Sequence, residues 1–138
     1  MTEYASSTLR DTDLKELVAT ADRRMLVQVA LKNGYTIFRH VGCLTEREKD
    51  AVTLFNKAVI EGPGKAAVID MTDTFLIDSF GLGNLLILNG AMVTHHKVLA
   101  IMINGESTVL KRLRSTRITN IVPVYPSLTQ CAVALARL

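Results

Sequence analysis

The sequence predicts a single α/β domain built on a mixed, mainly parallel sheet with about four helices. Three observations carry this. Two strand-like runs flank Lys32-Asn33-Gly34. Beyond them, short apolar runs alternate with amphipathic segments, and the breaks between them are made of Gly, Pro and helix-capping residues. The chain has 138 residues, 49% of them hydrophobic, which suits one domain with a core that needs no covalent staples.

The first pair of strands is MLVQVAL (Met25–Leu31) and YTIFRHV (Tyr35–Val41). Asn-Gly between such runs signals a hairpin, because both turn positions need positive φ. Thr45 stands three residues before Glu48, the spacing of a capping box. Ala51, Leu54, Phe55, Ala58 and Val59 then recur at helical spacing, and Gly62-Pro63-Gly64 ends that helix near Glu61. AAVID (Ala66–Asp70) reads as a strand buried on both faces.

A polar break is expected at Thr72-Asp73-Thr74, after which FLIDSFGLGN (Phe75–Asn84) leads into a helix reaching about Thr94. VLAIMI (Val98–Ile103) is a further buried strand. STVLKRLR forms a helix with Val109, Leu110 and Leu113 inward. IVPVY (Ile121–Tyr125) is a short last strand whose Pro123 suits an edge. Ser127 and Gln130 make a second capping box before the final helix. After the hairpin, strands and helices alternate, so those strands should be parallel. Residues 25–138 form the domain and residues 1–24 an extension, where Leu14, Leu17, Val18 and Ala21 share one face of a short helix. That helix would pack on its own domain or on a second copy.

Several function classes are excluded or left without support. The longest apolar stretch, Leu82 to Val93, is interrupted by Gly and Asn and is too short to cross a bilayer. The polar start MTEYASSTLRDTD lacks the form of a secretion signal, so a cytoplasmic location is expected. Cys43 and Cys131 match no metal or redox spacing and read as buried thiols. The net charge of +3 is modest; only KRLRSTR (Lys111–Arg117) gathers basic residues, without the aromatic interleaving of a nucleic-acid surface.

The chemistry therefore turns on Ser79. A hydrolase elbow needs G-x-S-x-G, and Ile77 occupies the first glycine position. Gly81-Leu82-Gly83 lacks the third glycine of a dinucleotide fingerprint, and Gly62-Pro63-Gly64-Lys65 precedes a strand where a phosphate loop must follow one. Asp70, Asp73 and Asp78 could hold a hard cation, but Asp78 has the simpler task of capping the helix that begins at Ser79; no metal, cofactor or enzymatic activity is expected. An N-cap at Asp78 puts Ser79 in the first helical turn, in reach of solvent. Gly81 and Gly83 would leave that turn open to another surface. A phosphate on Ser79 would gain from the helix start and would add roughly two negative charges beside Asp78, and beside Asp73 if that residue is near. Physics alone leaves the plainer alternative, a serine that only starts a helix.

The element order and the D-S-F-G-L-G core resemble the STAS domain of sulfate transporters and anti-sigma factor antagonists, over about residues 25–138. The hairpin ending in V-G-C-L-T (Val41–Thr45) resembles that family's turn into its first helix. AAVID followed by FLIDSFGLG resembles its strand and D-S-x-G motif, and VLAIMIN and ITNIVPVYPSL resemble its later segments. In bacterial antagonists the serine after the aspartate is phosphorylated by a partner that is both anti-sigma factor and serine kinase. By position that serine is Ser79.

The resemblance thus implies a partner-switching regulator, not an enzyme, whose unphosphorylated form binds the kinase and which a serine phosphatase resets. ATP and magnesium would belong to the kinase. Partner contacts would fall on Asp73, Thr74, Asp78, Ser79, Phe80, Gly81, Leu82 and Gly83, without direct nucleic-acid binding or membrane insertion, and with a homodimer left open. Phe80 departs from the second serine of many antagonists and resembles some stressosome scaffold members. A scaffold subunit and an accessory subunit of a lipid transporter are the alternatives.

Overall fold

The computed structural model describes residues 14–32 and 34–137. Asn33 of the expected turn, and the first thirteen residues of the extension, lie outside them. Six strands form one sheet in the order of the chain: β1 (Lys15–Ala19), β2 (Met25–Lys32), β3 (Tyr35–Leu44), β4 (Ala66–Ile77), β5 (Val98–Met102) and β6 (Val124–Tyr125). The first three are antiparallel, with Lys32 opposite Tyr35 across the hairpin and Gly34 at φ +84°. From β3 onward all pairs are parallel.

The helices α1 (Lys49–Glu61), α2 (Ser79–Thr94), α3 (Thr108–Ser115) and α4 (Leu128–Leu135) divide between the two faces. Alternate residues of each strand feed one layer or the other. Ala67, Ile69, Met71, Leu99 and Ile101 pack with Val52, Phe55, Leu85, Leu88 and Leu113, so α1 to α3 share one face. Ile37, Val68, Ala100 and Met102 pack with Leu128 and Cys131 of α4 on the other. Both cysteines are buried and free, and burial pushes the Cys131 thiol up to about 12.

Three local expectations need correction. The extension makes a strand where a short helix was expected. Lys15–Ala19 pairs with β2 through Lys15 opposite Val29 and Val18 opposite Val27, with a shift in register between Glu16 and Val18. A short isolated helix is marginal, whereas the open edge of β2 offers a row of unpaired N–H and C=O groups. Val18 reaches the core while Leu17 stays exposed, so this segment does pack on its own chain.

The polar break at Thr72–Thr74 is absent, because β4 continues to Ile77 with its polar groups satisfied in place. The Thr72 N–H donates to Asp70 Oδ1 at 3.0 Å, and Thr72 Oγ1 accepts from the Asn104 N–H at 3.0 Å. The final strand shrinks to Val124–Tyr125, because the Ile121 and Val122 N–H groups turn back to the Ile118 carbonyl. A fourth difference is smaller: on α1 the buried face is Val52, Phe55 and Val59, and Leu54 points to solvent.

Candidate functional site

Leu44 and Ile77 are register partners, so β3 and β4 end side by side and release α1 and α2 at neighbouring points. Asp78 is extended (φ −111°, ψ −173°), as an N-cap must be. Its Oδ1 accepts the Gly81 N–H at 2.9 Å, and its carbonyl accepts the Leu82 N–H at 2.9 Å. Its Oδ2 reaches across to the Glu46 N–H at 3.1 Å and ties the two helix starts together. Ser79 follows at the first helical position, exposed, and its hydroxyl has no hydrogen-bond partner among the described residues.

The two glycines of the motif do different jobs. A Cβ on Gly81 would lie 2.1 Å from the Leu44 carbonyl oxygen and 2.7 Å from Ile77 Cγ1. Gly81 is buried, and the surface it lets approach is the chain's own β3, not an external one. Gly83 is the open position, with nothing within 4 Å of an added Cβ. Leu82 is buried at 7% exposure and Phe80 packs partly against the core. Of the motif, Ser79 and Gly83 face outward most freely.

Asp73 and Thr74 do not join this group. They lie back along β4; at roughly 3.3 Å per residue, six residues of strand and turn keep Asp73 well over 10 Å from Ser79. Asp73 pairs with Arg39 at 2.7 Å. Thr74 is buried, and its hydroxyl donates to the His40 carbonyl at 3.2 Å. His40 Nδ1 shares a hydrogen bond with Thr74 Oγ1 at 2.7 Å, and its Nε2 is buried without a partner among the described residues. Burial pushes the His40 imidazole down to about 4, so the ring is neutral.

The first capping box is not made. Thr45 Oγ1 donates to Glu48 Oε1 at 2.6 Å in place of a backbone group, and Glu48 Oε2 accepts from Arg24 Nε at 3.1 Å. The second box is half present, with Ser127 Oγ accepting the Gln130 N–H at 3.2 Å.

Helix α2 carries no charged residue along its 16 positions. Ser79, Gly83, Ile87 and Gly90 fall at three- to four-residue spacing along its outer side, and Leu86, Ile87 and Val93 are 38%, 71% and 62% exposed. Phe75 and Leu76 add exposed apolar surface where β4 ends. Sequence reasoning missed one neighbour. Arg112, within the basic run Lys111–Arg117, donates from Nη1 to the Ile77 carbonyl at 2.8 Å. A basic residue on a following helix is a weak signal, because only the crossover geometry brings it back to the motif. Among the described residues no cluster of three or more His, Cys, Asp or Glu could hold a metal ion, and no helix is long and apolar enough to cross a membrane.

No family model and no curated protein matches the chain. Solved structures do. An anti-sigma factor antagonist from Mycobacterium paratuberculosis is similar with a TM-score of 0.71 and 20% identity, over 85% of this chain and 97% of that one. The anti-sigma factor antagonist SpoIIAA in its unphosphorylated form is similar with a TM-score of 0.57 and 15% identity, over 80% and 97%. The murine anion transporter Slc26a9 in its inward-facing state gives 0.63 and 14%, over 98% of this chain and 23% of the transporter. The chain therefore has the fold of a STAS domain, shared by anti-sigma factor antagonists and by a domain-sized part of an anion transporter.

Proposed function

We propose that this protein is a phospho-switched binding protein of the anti-sigma factor antagonist kind. The observation that carries the reading is the exposed Ser79 hydroxyl at the start of a helix without charge, which leaves Leu86, Ile87 and Val93 uncovered. In the unmodified state this apolar side of α2 docks on a partner that is both anti-sigma factor and serine kinase. That partner holds ATP and magnesium. Ser79 Oγ attacks the γ-phosphorus, a new O–P bond forms, the bond to the ADP oxygen breaks, and the hydroxyl proton passes to the kinase's base. The product carries roughly two negative charges next to Asp78, at the rim of an apolar contact, and docking weakens. A serine phosphatase reverses the step by hydrolysis.

Intact-mass analysis after incubation with candidate kinases and Mg-ATP, with the modified residue mapped, tests the reading. One phosphate on Ser79 is expected. A phosphate on Thr72, Thr74 or Ser107 with Ser79 untouched would sink it. Ser79→Ala should bind the partner and take up no phosphate, and Ser79→Asp should bind more weakly.

One observation favours a second reading. A transporter is among the solved structures with a similar fold, and there the likeness covers 23% of the transporter chain. On that reading the domain is an accessory subunit of a transporter and Ser79 only starts a helix. Copurification with a transporter ATPase, with Ser79 unmodified, would decide for it.

A further inference from the structure

Five arginines among the described residues are paired with carboxylates. Arg23 meets Glu16, Arg24 meets Glu48, Arg39 meets Asp73, Arg47 meets Asp22 and Arg114 meets Glu106. Arg112, like Arg117 and Arg137, has no carboxylate partner among the described residues, but its guanidinium is anchored beside the start of α2. It lies two positions from Arg114 on α3, but it turns the other way, toward the end of β4, and its partner there is the neutral carbonyl of Ile77 at 2.8 Å. No carboxylate lies within ion-pair distance of it among the described residues. Only one of the five guanidinium N–H donors is placed by that bond. A full positive charge is thus held two residues before Ser79 with most of its donors available.

We propose that Arg112 is the residue that receives the phosphate on Ser79, in cis, and so defines the switched-off state. The inference rests on the phospho-switch reading given above. Two residues of chain keep the Ile77 and Ser79 Cα atoms within about 7 Å of each other, inside the reach of an arginine and a phosphoserine that share one turn. Asp78 cannot fill this role. It is negative, and both its oxygens already accept N–H groups, from Gly81 and Glu46. The phosphate is pushed from Asp78 and has two classes of donor left: the Ser79 and Phe80 N–H groups, which lack intrahelical partners, and the Arg112 fork.

A guanidinium presents parallel donors that match two phosphate oxygens, which a lysine does not. Pairing draws the phosphate toward α3 and takes Arg112 from the Ile77 carbonyl or shares it. The switched-off state then has an ordered dianion fixed over the start of α2. In the unmodified state the same Arg112 leaves a positive rim beside the apolar side of α2, complementary to an acidic rim on the partner.

The test needs no kinase. Phosphoserine is incorporated at position 79 by codon suppression in the full chain, and its second ionisation is followed by phosphorus NMR across pH. An ordinary phosphoserine titrates near about 6. With Arg112 in place the value should fall by about one unit, as for an acid beside an opposite charge. Arg112→Gln should remove that shift, and Arg112→Lys should keep part of it. Far-UV circular dichroism and the urea midpoint of the unmodified Arg112→Gln protein show that it is folded. The Arg112 Nε resonance gives a second readout and should move on phosphorylation in the wild type. Equal titration of wild type and Arg112→Gln, with an unmoved Nε signal, overturns the proposal. Failure of every kinase to modify wild-type Ser79 counts against the switch reading instead, and the installed phosphoserine keeps the two failures apart.

Discussion

The starts of α1 and α2 lie side by side at the ends of two paired strands, and their polar groups are used in opposite ways. At α1, Thr45 and Glu48 turn inward, bond each other and meet Arg24, leaving a closed set of buried polar contacts. At α2, Asp78 spends its carboxylate on backbone N–H groups and the next residue, Ser79, points out with its hydroxyl unused. The first start is a clamp and the second an open terminus. The contacts between them, Asp78 to Glu46 and Gly81 under Leu44, mean that the open one is held rigid by the closed one. A hydroxyl meant to be recognised by an enzyme or a partner gains from such a fixed platform.

The most damaging test of that coupling is Gly81→Ala. The added Cβ would sit 2.1 Å from a backbone oxygen, which cannot swing aside as a side chain could. The strand end or the helix start must shift, at a cost of about 3 kcal/mol or more despite the better helix propensity of alanine. Urea denaturation measures it, and a loss below about 1 kcal/mol would show that the two starts are not rigidly joined.

The next test reaches the strands that lead to both starts. His40 on β3 and Thr74 on β4 join them by a buried hydrogen bond with the ring neutral. The imidazole titrates at 6.5 in its ordinary state and at about 4 in the fold. A depressed value means that the unfolded chain binds the extra proton first. The full contribution is therefore present above pH 6.5 and declines as the pH falls toward 4. The expected loss is about 2 kcal/mol at pH 5 and approaches about 3 kcal/mol by pH 4. His40→Phe should flatten the stability profile between those limits. A profile as steep as wild type would assign the acid sensitivity elsewhere.

Comparing the two starts directly, Glu48→Ala should cost about 2 kcal/mol, because a buried acceptor of charged and hydroxyl donors is lost. Asp78→Ala should cost about 1 kcal/mol, the usual value of an N-cap. Thermal unfolding of both variants ranks them. The reverse ranking would mean that the open start is the more strongly built.

Much of this was legible in the sequence. The α/β class, the hairpin, the helix reaching Thr94 and the Asp78 cap depend on local chemistry: turn residues, spacing and a side chain bonding three residues away. What could not be read depends on partners distant in sequence. Thr45 and Glu48 have the spacing of a capping box, but Arg24, twenty-four residues earlier, draws the carboxylate inward. Thr72 to Thr74 look like a loop until Asn104 and His40 satisfy them within a strand. Leu14 to Ala21 fit a helical face as well as a bulged strand, and the vacant edge of β2 selects the strand. At the site, the exposed serine was foreseen; the burial of Gly81 and Leu82 and the arrival of Arg112 were not, since each follows from how β3 and α3 pack against the motif.

Gly83→Ala carries the smallest effect on stability and the clearest information. Nothing lies within 4 Å of the new methyl, so the fold has room for it, and a glycine removed from a helix interior should stabilise the protein by about 0.5–1 kcal/mol. The methyl would stand on the outer side of α2, one turn beyond Ser79. If a partner docks there closely, binding should fall although the protein is more stable, and phosphorylation of Ser79 by a docked kinase should slow with it. Calorimetric titration with the partner, run beside urea denaturation of the same sample, separates the two effects. Unchanged binding in a stabilised Gly83→Ala would move the docking surface off this turn, toward Ile87 and Val93 or toward Phe75 at the end of β4.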